Sequence, residues 1–228
     1  MDLIIFPDYN GERYKNFSKT LSDLYPKKTI LAVLNGPNIP DSEPLQKISD
    51  NVLTMHSAPG YNNALVKALE YAITQNYQNI IKLDTEEHDP LHLPHITALL
   101  TNHLMVVSDL TFTEETLPIH SNDYLLNKIT MPNLTSKYSR LRLKLTGAHG
   151  FFGITQKALR QSMPKITKIH NKHKDTIHWG IDTALIVDTV NNNNPYKVIS
   201  QPAKIIRDRP LSKIEKQFSD TKTLLSEL

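Results

Sequence analysis

Residues 80–90 read IIKLDTEEHDP: an apolar run that ends at Asp84 and continues through Glu86, Glu87, His88 and Asp89 into a proline. A short apolar stretch closed by turn residues is the pattern of a buried strand, here NIIKLD (79–84), with the acids at its carboxyl tip. Four carboxylates in one tip repel one another, and nothing nearby is obviously basic. Either the tip is a solvated loop, or it holds something positive.

Working outward, NNALVKALEYAITQ (62–75) places Leu65, Leu69 and Ala72 on one helical face, and a further helix over 91–103 is expected to start after Asp89-Pro90, where proline suits the first turn. LIIF (3–6), TILAVL (29–34), NVLTMH (51–56) and HLMVVSDL (103–110) read as strands, and Phe17, Leu21 and Leu24 have the spacing of a helix between the first two. Strands alternating with helices predict an α/β fold: a mainly parallel central sheet with helices on both faces. Further on, RLRLKLTG (140–147) alternates basic and apolar residues as a strand would, DTALIVDTV (182–190) fits helix or strand, YKVISQPAKII (196–206) reads as a strand and 210–228 as a helix. No internal repeat or linker divides the 228 residues, so one domain is expected, with 1–110 as one half and 111–228 as the other.

Composition narrows the partners. With 39% hydrophobic and 21% charged residues the chain is of ordinary globular composition, and a net charge of +3 spread among interleaved acids gives no stripe for nucleic acid. Zero cysteines exclude disulfides and thiolate metal sites. MDLIIFPDYNGER has no basic leader, and no segment approaches the roughly 18 apolar residues of a spanning helix, so a cytoplasmic protein with no membrane span is expected.

In open α/β sheets ligands bind outside the carboxyl ends of the strands. Pro7 to Glu12 follow the first strand, Asn35 to Asn38 the second, and Asp84 ends the fourth, so three polar tips should converge on one edge. Asp84 and Glu86, two residues apart, can present oxygens to a hard divalent cation, Mg²⁺ or Mn²⁺, with a diphosphate supplying further oxygens. As a strand-tip carboxylate, Asp84 should matter for such chemistry and little for the core.

PDYNGER (7–13), AVLNGPN (32–38), SAPGYNNALVKAL (57–69) and IIKLDTEEHDP, in that order and spacing, resemble the successive motifs of family-two-type glycosyltransferases with the GT-A fold. KLTGAHGFFGITQKALRQSMP (144–164), HWGIDTALIVDTV (178–190) and AKIIRDRPLSKI (203–214) look like the corresponding run in glucosyl-3-phosphoglycerate synthases and related retaining glucosyl- and mannosyltransferases. The resemblance implies transfer of a hexose from a UDP- or GDP-linked donor to a small-molecule acceptor. It implies that Pro7, Asn10, Glu12, Asn35, Gly60 and Asp84 meet the nucleotide-sugar, that Asp84 and Glu86 hold the metal, and that Thr146, Gly147, Arg207 and Arg209 lie on the acceptor side. Asp182 and Thr146 are the implied catalytic groups. If the reaction inverts, Asp182 is the candidate base; retention is the reading the second half favours. Two arginines beside the acceptor suit a carboxylate or phosphate.

The chain departs from that pattern in places. Gly60-Tyr61-Asn62 lacks the lysine of the glycine turn, Ala148 stands in place of a glutamate, and Ile206 falls where a late histidine would complete the metal site. Those departures motivate the alternative of a non-catalytic GT-A-like module that binds a nucleotide or a protein. A nucleotidyltransferase is a third reading, without a glycine- and lysine-rich loop near the first strand to support it. Homo-oligomerisation is left open by the sequence.

Overall fold

The computed structural model describes residues 1–8, 14–36, 49–84, 89–111, 121, 124–146, 150–202 and 209–228. Its strands are β1 (Asp2–Asp8), β2 (Thr29–Leu34), β3 (Val52–His56), β4 (Asn79–Lys82), β5 (Met105–Thr111), β6 (Phe151–Thr155) and β7 (Tyr196–Pro202). Helices α1 (Tyr14–Leu24), α2 (Tyr61–Thr74), α3 (Leu93–Leu99), α4 (Met131–Tyr138), α5 (Gln156–His173), α6 (Ile181–Asn191) and α7 (Leu211–Ser226) connect and cover them. The sheet runs β3-β2-β1-β4-β6-β5-β7. The β3-β2-β1-β4 half is parallel throughout, β6 is antiparallel to both neighbours, and β5 pairs with β7 in parallel. The expected α/β architecture with a mainly parallel central sheet is therefore present, with β6 as the antiparallel strand.

Period-two alternation sorts the strand residues onto two faces. Leu3, Ile5, Leu31, Val33 and Ile80 join the larger core with α2, α5, α6 and α7, while Ile4, Phe6, Ile30, Ala32, Ile81 and Leu83 join a smaller core with α1 and α3. Phe17 of α1 meets Phe6 edge-on at 5.0 Å. On α2 the expected Leu65, Leu69 and Ala72 are all buried, whereas Leu24 of α1, placed by its spacing on the inner face, is 41% exposed. Asp89 caps the turn before α3 by accepting from the Leu91 amide at 3.0 Å, with Pro90 at the first position as expected.

The segment expected as a strand over 140–147 is irregular where it is described, over 140–146. Leu143 and Leu145 are buried and Arg142 and Lys144 exposed as the alternation predicts, but Leu141, on the same side of that alternation, is 53% exposed, and the segment joins no strand of the sheet among the described residues. Side chains take up its amides instead. The Leu145 amide donates to Thr135 Oγ1 at 3.0 Å and the Thr146 amide to Asp109 Oδ1 at 3.0 Å. DTALIVDTV, left open between helix and strand, is the buried helix α6.

Strand β6 and helix α5 follow from the same packing. Gly153 lies on the smaller-core face of β6, where a Cβ would come within 2.6 Å of Ile96 Cγ2 and 2.8 Å of Leu100 Cδ1. Gly153→Ala should therefore lower stability by about 1–3 kcal/mol through overpacking, read in a urea melt, and leave ligand binding at the strand tips unchanged.

Candidate active site at the carboxyl edge of the sheet

The parallel register brings the tips of β1, β2 and β4 together. Asp8 pairs with Leu34, the Asn35 amide donates to the Asp8 carbonyl at 3.2 Å, and the Leu83 amide donates to the Ile5 carbonyl at 3.0 Å. Pro7, Asn35 and Asp84, from three strands, thus sit at one edge as expected. Asn35 is buried, and its side-chain oxygen has no hydrogen-bond partner among the described residues. A buried acceptor without a donor is costly for a folded chain to carry, and a ligand N–H would satisfy it.

Asp84 does have a positive partner, and it lies inside the quoted stretch. Lys82, two residues earlier on the same face of β4, is fully buried and places its Nζ 2.7 Å from Asp84 Oδ1, while the carboxylate side chain keeps 30% exposure. The other oxygen, Oδ2, packs against Gly150, where a Cβ would stand 1.7 Å away. Only glycine leaves room for this carboxylate. The Lys82 ammonium also lies 5.0 Å from the centroid of the Tyr61 ring, a cation–π contact in a desolvated setting.

Tyr61 carries the connection onward. Its hydroxyl donates to Asp182 Oδ2 at 2.8 Å, so the first residue of α2 meets the first turn of α6. Asn62 fastens the same two helix starts: its Nδ2 donates to the carbonyls of Ile177 and Trp179, each at 3.3 Å, and its Oδ1 accepts from the Ile181 amide at 3.2 Å. Gly60 supports this junction with φ +113°, and Gly180 with φ +95°, conformations that side-chain-bearing residues rarely adopt. Asp182 Oδ1 accepts from the Thr183 amide at 2.7 Å, so the carboxylate sits at the start of α6.

The structure therefore joins Asp84, Gly60 and Asp182 of the expected site through Lys82 and Tyr61. Thr146 sits on a separate anchor, with its hydroxyl donating to Asp109 Oδ1 of β5 at 2.8 Å. The Arg209 Nη1 donates to Gln217 Oε1 on α7 at 2.6 Å. Asn10, Glu12, Glu86, Gly147 and Arg207 lie outside the described residues. Lys82, Tyr61 and Gly150 were not among the expected site residues. The signal for Lys82 is legible: a lysine inside an otherwise apolar strand, at i−2 from an acid, must share a face with it.

A divalent cation is a poor fit to the described part of this site. Asp84 already shares one oxygen with an ammonium and turns the other against Gly150, and an added dication would lie within a few ångströms of that ammonium and be repelled by it. Among the described residues no three acids or histidines converge as a metal would require.

No family model matches the sequence, and no curated protein does. Solved structures do share its architecture. One is a protein assigned as a nucleotide-diphospho-sugar transferase from Desulfovibrio desulfuricans G20, similar at TM-score 0.54 and 8% identity over 91% of this chain and 82% of that one. A second is the 4-diphosphocytidyl-2C-methyl-D-erythritol synthase of Anaerococcus prevotii DSM 20548, at TM-score 0.53 and 9% identity over 99% of this chain and 98% of that one. A third is S. aureus TarS 1–349, at TM-score 0.51 and 11% identity over 96% and 70% of the two chains. Among the described residues, no helix is long and apolar enough to cross a membrane. The architecture of this chain is the GT-A fold of the nucleotide-diphospho-sugar transferases.

Proposed function

We propose that the protein is a glycosyltransferase that takes a hexose from a UDP- or GDP-linked donor and places it on a small anionic acceptor. The observation that carries this reading is the placement of Asn35 and Asp84 at the tips of the two parallel strands that flank β1, with Asp182 tied to Asp84 through Tyr61 and Lys82. Ligands of open α/β sheets bind at such an edge. Asn35, with its unpartnered oxygen, would receive an N–H of the nucleotide base, alongside Asn10 and Glu12, which follow β1 in sequence. In the transfer, the acceptor oxygen bonds to the anomeric carbon, the bond from that carbon to the diphosphate oxygen breaks, and the nucleoside diphosphate leaves with the electron pair, taking up the acceptor hydroxyl's proton where configuration is retained. A preorganised positive group near the departing diphosphate lowers the barrier because it needs no rearrangement at the moment of reaction. Should configuration invert, Asp182 takes the acceptor proton; Arg209 and Arg207 would hold the acceptor's charge from the second half of the chain.

A second reading, nucleotidyl transfer, is favoured by the near-complete mutual coverage with the diphosphocytidyl-methylerythritol synthase. Product analysis separates the two. Incubation with UDP- and GDP-hexoses should release nucleoside diphosphate, and incubation with CTP or another nucleoside triphosphate should release no pyrophosphate. Pyrophosphate release with no cleavage of nucleotide sugars would replace the first reading by the second, and binding without any turnover would favour a non-catalytic module.

A further inference from the structure

We propose that Lys82 is the resident cation of the strand-tip site, so that a nucleotide diphosphate binds there without a divalent metal. The inference rests on the donor-binding reading above and specifies how that site handles charge. Lys82 lies in a central strand, fully buried, with Ile80, Ile81 and Leu83 around it in sequence, all of them buried as well. Folding alone does not call for an ammonium there, since an apolar residue of the same volume packs such a position as well or better. What the lysine does provide is a fixed positive charge under Asp84.

Three contacts hold it in place. Asp84 Oδ1 lies 2.7 Å from Nζ, the Tyr61 ring centroid lies 5.0 Å from it, and the Gly150 backbone approaches so closely that a Cβ there would come within 3.0 Å of Nζ. The carboxylate at the tip is thereby half of a neutral pair, and a diphosphate can approach it without meeting an uncompensated anion. A metal would have to displace the ammonium from the carboxylate or sit beside it, and the ammonium is enclosed with no exposed route of withdrawal. Tyr61 extends the effect: the ring that faces Lys82 carries the hydroxyl bound to Asp182, so the cation also helps to set the start of α6. Lys82 is thus a positioning residue that acts through Asp84 and Tyr61.

Calorimetric titration of UDP and GDP into the full chain, once in EDTA and once in Mn²⁺, tests this. For whichever nucleotide binds, the two affinities of the wild type should agree within about twofold. Lys82→Met keeps the volume and removes the charge; it should weaken binding by about tenfold or more in EDTA and regain the loss in Mn²⁺, because the metal then has Asp84 to itself. A lysine of merely structural use would show no such rescue. A tenfold fall of wild-type affinity on chelation, full affinity of Lys82→Met in EDTA, or a loss that Mn²⁺ does not restore in a folded variant would each overturn the proposal. If Lys82→Met does not fold, the wild-type comparison decides alone. If neither nucleotide binds in any condition, the donor reading fails separately, and Mn²⁺ titrated alone and followed by its electron paramagnetic resonance decides the cation: absence of binding supports Lys82, and binding that Asp84→Asn removes contradicts it.

Discussion

Asp84→Ala should lower the stability of the protein by about 3 kcal/mol and abolish turnover of nucleotide sugars. Read as an exposed strand-tip acid, Asp84 promised a clean loss of activity with the fold intact. The structure corrects the second half of that expectation. The carboxylate is the one hydrogen-bond acceptor of the Lys82 ammonium among the described residues, and removing it leaves a charge enclosed in the sheet without a counter-ion. Breaking a buried pair from one side is far more damaging than replacing both members, because the cost is that of the stranded charge. Lys82→Met should accordingly cost less than Asp84→Ala, since the abandoned carboxylate keeps 30% exposure and can be hydrated. Combined in one chain, Lys82→Met and Asp84→Ala should recover most of the lost stability and none of the activity. Urea unfolding of the four proteins gives the coupling energy directly, and the expected value is about 2–3 kcal/mol. Strict additivity of the two substitutions would mean that the pair does not act as a unit.

Gly150→Ala should lower turnover and stability together, because both follow from moving Asp84. The new methyl would lie 1.7 Å from Asp84 Oδ2 and 2.7 Å from its Cγ, so the carboxylate has to leave its present position. A catalytic group displaced by an ångström or more costs about a hundredfold in rate. Moving the carboxylate also draws it away from the buried Lys82 ammonium, so the stability loss should approach the ~3 kcal/mol of Asp84→Ala. Compared with Gly153→Ala, three residues along, the pair of variants separates a glycine that makes room for chemistry from one that makes room for a helix. A Gly150→Ala protein with wild-type turnover would remove Asp84 from the site.

Much of this arrangement is legible in the sequence, and the parts that are not share a cause. Strands β1 to β5 and helix α2 follow from apolar runs and helical spacing, because each lies between a turn signal and a covered face. Strand β6 went unrecognised as a strand since FFGIT is short and runs directly into α5, and α5 itself contains Pro164, a residue that reads as a helix breaker. Burial of Leu159, Met163, Ile166 and Ile169 outweighs that one proline. RLRLKLTG shows the converse. Its alternation holds at Leu143 and Leu145, yet a strand also needs a partner strand, and here the side chains of Thr135 and Asp109 take the amides instead. At the site, Asp84, Gly60 and Asp182 could be named from their motifs, while the partner of Asp84 was sought beyond the strand tip. Lys82 lay within the strand, where charge is easily read as an interruption of the apolar run. Gly150 and Tyr61 could not be found from sequence alone, because their roles depend on contacts with Asp84 and Asp182 across 66 and 121 positions of chain.

The most direct test of the account is a crystal structure of the protein soaked with UDP or GDP, in the absence of divalent metal. The nucleotide should lie at the carboxyl edge of the sheet, with its base beside Asn35 and its diphosphate over the Asp84–Lys82 pair. Nucleotide bound at the opposite edge of the sheet, or density away from the tips of β1, β2 and β4, would contradict it.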